Sequence, residues 1–155
     1  MPSWNQAFRE GLVSGSLASV LSAVYLAWAG QRRGQPAAPM NAVSHWFFGD
    51  PALREREPSL LHTLTGYFIH HTASIFWGVL HAKAWGARPQ AKAPIPAVAG
   101  AITAAGVACL VDYRLTPRRL TPGFEHQLGR PEMAKVYACF ALGLAIGTLA
   151  MKHRR

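Results

Sequence analysis

The sequence predicts an all-α integral membrane protein, one domain over residues 1–155 built as a bundle of four transmembrane helices. Three observations predict it. Charged residues make up 15% of the 155 and apolar ones 50%, where a typical soluble domain carries about 25% charged residues. The charges are clustered, so four long runs lack Asp, Glu, Lys and Arg, and a bilayer core about 30 Å thick asks for about 20 apolar residues per helix. Small residues recur at helical spacing in three of these runs, as close packing between lipid-embedded helices requires. The mean hydropathy of +0.10 averages apolar runs with polar loops and hides the segregation.

The first span is expected over residues 11–30. It opens on a GxxxG pair, Gly11 and Gly15, continued on one face by Ala18 and Ser22. Ala27-Trp28-Ala29 has the small-x-small form of a signal-peptidase site. The apolar run is long for a signal peptide and Glu10 stands at its entrance, so a retained span is the reading. In the first loop, Asn41 to Phe48 is aromatic and amphipathic, which suits a short helix lying at the membrane interface. Gly49-Asp50-Pro51 reads as a turn. Arg54 to Glu57 alternates in charge and reads as a solvated end.

The second span is expected over 60–83, the third over 94–112 and the fourth over 133–151. Pro94 and Pro96 open the third, where a missing N–H costs nothing. Gly100, Ala101, Ala104, Ala105 and Ala108 give it a small-residue face, and Gly143 and Gly147 give the fourth a second GxxxG. Leu-Thr-Pro occurs twice between them, at Leu115 and Leu120, and proline makes that connector extended. Cys109 and Cys139 fall at matching depths in the third and fourth spans and read as small apolar packing residues.

Distinctive chemistry lies in the second span. His62, His70, His71 and His81 share one half of the helix with Thr63, Gly66, Tyr67 and Ser74. Leu64, Phe68, Ile69, Ile75, Phe76 and Val79 make the other half apolar, so that half should face lipid. His70 sits about 12 Å deeper than His62. An ionisable residue at membrane depth is a functional candidate, and three readings stay open. The histidines can be structural hydrogen-bonding groups. They can form a proton or ion path, since imidazole both donates and accepts near neutral pH, with His62, His70, His71, His81, Tyr67 and Asp112 as its members. Or His70 and His81 can hold haem or a divalent metal, with a second chain completing the ligands because the other three spans lack histidine. Without such a group no cofactor is expected.

Four spans put the first and third loops on one side. His45, His62, Asp112 and Glu125 then share a membrane face, as a cation site or as ordinary headgroup and ion-pair contacts, Asp112 having Arg114 and Arg118 close by. Seven Lys or Arg on one side against nine on the other leave orientation almost unbiased. The net charge of +9 fits contact with anionic lipid headgroups. No nucleic-acid module accompanies it.

Gly66, His70, Gly78 and His81 on one helix, a small-residue third helix, Leu-Thr-Pro after it, an acidic residue (here Glu125) and a last helix together resemble the YagU-like family of small bacterial inner-membrane proteins. The likeness covers roughly Leu60 to Met151. It implies a multi-pass protein of a bacterial inner membrane and carries no biochemical activity with it. No nucleophile elbow, P-loop, dinucleotide fingerprint or paired-cysteine zinc pattern is present, so no catalysis is expected. The chain reads as a small transport, proton-handling or accessory subunit. The alternatives are a haem- or metal-binding redox subunit, or a structural partner that self-associates or joins a larger membrane complex through its Gly faces.

Overall fold

Helix α1 runs from Trp4 to Gln31, and two short helices follow it, α2 (Ala38–Val43) and α3 (His45–Phe48). Three further long helices follow among the described residues: α4 (Thr65–His81), α5 (Pro94–Leu110) and α6 (Arg130–Ala150). The computed structural model describes residues 1–151, with no strand among them. Three helices are long and apolar enough to cross a membrane: α1, α5 with its closing turn to Leu115, and α6.

The ends of these helices have local causes. The Gln6 N–H donates to Ser3 Oγ at 3.1 Å, which caps α1 and starts it seven residues before the expected position. Arg9 and Glu10 therefore ride inside the helix. Pro131 sits in the first turn of α6, where its fixed φ suits the start. A wide turn over Leu60–Leu64 precedes α4, and it is capped reciprocally. The His62 N–H donates to Ser59 Oγ at 2.9 Å, and the Ser59 N–H donates to Thr63 Oγ1 at 2.9 Å. Another wide turn, closed by the Ala87 N–H on the Ala82 carbonyl at 3.0 Å, carries the helical path on to Gly86.

The first loop departs from expectation. Its helices are not a surface element: every residue from Ala37 to His45 is buried, and Phe47 and Phe48 are the exposed ones. The reason is polar satisfaction. Asn41 is fully buried, yet its amide donates to the carbonyls of Glu57 (2.8 Å) and Glu55 (3.3 Å), while its Oδ1 accepts from Thr63 Oγ1 at 2.6 Å. Trp46 Nε1 donates to the Thr121 carbonyl at 2.8 Å. With these bonds made, burying the segment leaves its main polar group paired, as buried groups must be.

Packing divides into two compact units, and each long helix contributes to both. The first comprises Met1–Ser22, His71–Ala108 and the chain from Tyr137. Here small residues bring backbones together. A Cβ on Gly11 would lie 2.5 Å from Val79 Cα, and one on Gly15 would lie 2.6 Å from Ile75 Cα. Gly143 and Gly147 sit against the backbone of Ala18 and Ser14. Helix α1 thus carries α4 on one side and α6 on the other, while Ala101 and Ala105 of α5 join Phe140 and Leu144.

The second unit comprises Ala23–His70 and Cys109–Val136. Leu26, Met40, Val43, Ile69, Phe124, Leu128 and Val136 form its core. Gly123, at φ +95°, turns close against the Ala42 carbonyl and His45. Both the conformation and the space exclude a side chain there. Apolar side chains cover much of the outside, among them Leu64 in the turn before α4, Phe68 and Phe76 on α4, and Ile95, Val98 and Ile102 on α5.

Candidate functional site

The first unit contains a buried polar group that the histidine pattern does not announce. Lys92 Nζ donates to Glu10 Oε2 at 2.5 Å and to the Thr148 carbonyl at 3.1 Å. Gln6 Nε2 donates to Glu10 Oε1 at 3.0 Å and to the Ala87 carbonyl at 3.2 Å. Glu10 is 4% exposed and Lys92 8%. Each carboxylate oxygen therefore has its own donor, the condition under which a buried ion pair is tolerated.

Local structure delivers these groups. Glu10 lies on α1 one turn before Ser14. A short 3₁₀ turn, Pro89–Lys92, brings Lys92 inward just ahead of the proline start of α5. Trp85 shapes that connection by packing its indole on Gly100 and donating Nε1 to the Pro96 carbonyl at 3.0 Å.

His81 lies beside this group: Thr148, whose carbonyl accepts from Lys92, shares with the His81 ring the space left by Gly86. It is 4% exposed, and neither ring nitrogen has a hydrogen-bond partner among the described residues. A Cβ placed on Gly86 would meet the His81 ring at 2.9 Å and Thr148 Oγ1 at 3.2 Å, so Gly86 makes room for both. Ser14 Oγ, also buried, is likewise without a partner among the described residues. Buried polar atoms left unpaired cost about 1–3 kcal/mol each. The two ring nitrogens of His81 mark a place where something polar belongs.

His45, His62 and His71 have structural partners. His62 Nδ1 pairs with Ser44 Oγ at 3.1 Å, and His71 Nδ1 with Ser19 Oγ at 3.0 Å. His45 Nδ1 pairs with the Ala42 carbonyl at 2.8 Å. His70 and Tyr67 are half-buried, and Tyr67 packs on the apolar core of the second unit. Asp112 lies half-buried in the closing turn of α5. The Tyr113 hydroxyl donates to Glu125 Oε2 at 3.4 Å, and His126 stands 3.8 Å from Glu125 Oε1. Of the expected face cluster, His45 reaches loop three as well, its Nε2 lying 3.4 Å from the Arg118 carbonyl, while His62 is held by Ser44 and Glu125 accepts from Tyr113. Among the described residues no group of three or more His, Cys, Asp or Glu is placed to hold a metal. His70 and His81 are eleven residues apart on one regular helix, about 16 Å of rise, so they cannot share one ion within a chain.

Sequence reasoning took Glu10 and Lys92 as boundary markers of apolar runs. One signal was available: Glu10 is the single acidic residue before Asp50, and an isolated acid beside a span asks for a partner. No family model, no curated protein and no solved structure matches this chain.

Proposed function

We propose that this chain is a four-span membrane protein that handles protons as a small subunit without catalysis of its own, with Glu10, Lys92 and His81 as its working groups. Three of its helices are long and apolar enough to cross a bilayer. We take α4 as the fourth span, since its 17 regular residues and flanking wide turns reach from Leu60 to Gly86. The observation that carries the reading is the His81 ring, buried with both nitrogens unpartnered among the described residues beside a buried ion pair. Imidazole accepts a proton on one nitrogen and releases one from the other. A proton reaching Glu10 would neutralise the carboxylate and loosen Lys92, which couples the pair to the ring. The resemblance to the YagU-like family supports a bacterial inner membrane as the site of residence. The lipid bilayer, a second copy or a larger membrane complex are the partners this reading implies.

The test is proton flux in vesicles loaded with a pH-sensitive dye. His81→Ala should abolish flux and Glu10→Gln should reduce it strongly. Val98→Ala, on the exposed side of α5, is the control. Flux at the original rate in His81→Ala would sink the proposal. Near-stoichiometric iron, copper or zinc that is lost in His81→Ala would replace it with the haem or metal reading, a second copy then completing the ligand set.

A further inference from the structure

We infer that the first unit carries an anion site for a phosphate group, in the cavity between the start of α1 and the turn after α4. The cavity is about 650 Å³ and is lined by Gln6, Ala87, Arg88 and Gln90 with Pro2 and Pro89. Arg88 is its charged side chain, and Met1 lines it too. Its Nε is buried and has no acceptor among the described residues, and its guanidinium lies 5.9 Å from the Trp85 ring. The side chain lines the cavity, and a guanidinium offers its outer N–H groups as a planar fork, the geometry that suits phosphate.

Charge on this unit supports the same conclusion. Its segments contain one Asp or Glu, Glu10, and both oxygens of that carboxylate are taken by Gln6 and Lys92. Lys83 is engaged with the Pro2 carbonyl at 2.6 Å and stands 4.8 Å from the Trp4 ring. Neither Arg88 nor Arg9 has a further acidic side chain in these segments to neutralise it. The cavity is therefore a positive, partly apolar recess with no carboxylate in its lining. Gln6 lines it and also holds Glu10, so an occupant would touch the residue that orients the ion pair. A phospholipid headgroup and a free phosphate share this chemistry.

The full chain in a non-ionic detergent is titrated with inorganic phosphate by calorimetry. In parallel it is titrated with short-chain phosphatidylglycerol and phosphatidylcholine by native mass spectrometry. Arg88→Gln, Arg88→Lys and, as a control from the second unit, Arg130→Gln are compared with the original chain. Arg88→Gln should weaken the anion about tenfold, the loss expected for a charge-assisted hydrogen bond. Arg88→Lys should fall between, and it keeps the test open if Arg88→Gln does not fold. Arg130→Gln should match the original. An effect on phosphatidylglycerol alone identifies a headgroup, and an effect on inorganic phosphate identifies a free anion. Binding of neither inorganic phosphate nor phosphatidylglycerol overturns the inference, as does an Arg88→Gln or Arg88→Lys protein that binds both as the original does.

Discussion

Lys92 reaches back across 82 positions of sequence to place its ammonium 2.5 Å from the Glu10 carboxylate. Both groups are withdrawn from solvent. The pair fastens the entry to α5 onto the side of α1, with the Thr148 carbonyl of α6 as a third point.

Removing one member should therefore cost more than removing both. Lys92→Met leaves a buried carboxylate without its cation, and about 3–5 kcal/mol should be lost. The double variant Glu10→Leu with Lys92→Met should recover most of that. Thermal unfolding in detergent, read by circular dichroism, checks the order of stabilities. A double variant as weak as the single would show that the pair itself stabilises the fold.

The glycines of the first unit divide sharply. Gly143→Leu or Gly147→Leu drives a side chain into the backbone of α1 and should prevent folding. Gly106 on α5 meets nothing within reach of a Cβ, so Gly106→Ala should stabilise by about 0.5–1 kcal/mol through helix propensity. Melting temperatures of the three variants decide it. A destabilised Gly106→Ala would mean that this position is covered in the assembled protein.

Asn41→Ala removes a donor to two carbonyls and an acceptor for Thr63. The loss should be about 2–3 kcal/mol. Hydrogen exchange should rise first over residues 55–63, where those partners lie, and uniform exchange across the chain would contradict a local tie.

Four spans and three make different topologies. In a background with Cys109→Ala and Cys139→Ala, Gln90→Cys should be labelled from the side of the N-terminus and Arg54→Cys from the opposite side. Labelling of both from one side would show that α4 does not cross.

The four helical runs were legible because the absence of charge over about 20 residues is a coarse, redundant signal. The first-loop segment was read as one exposed interfacial helix, where the structure has two short helices and buries residues 37–45 within the protein. Amphipathicity reports that a segment has two faces and does not say what covers the polar one, and here Asn41 finds Glu55, Glu57 and Thr63. The histidines were conspicuous by type and spacing, yet His62 and His71 each end on a serine hydroxyl. The Glu10–Lys92 pair was hidden because charges were used to delimit apolar runs, which removes from view a charge that folding turns inward. Only tertiary contact reveals such a partner.

The buried loop-one segment also sets an order of assembly. Trp46 finds its carbonyl at Thr121, 75 positions later, and Gly123 closes over Ala42 and His45. A ribosome must therefore have delivered α5 before residues 38–48 can be seated. Until then a nascent chain exposes their apolar side chains, and a product truncated ahead of Thr121 would be left as a substrate for membrane quality-control proteases.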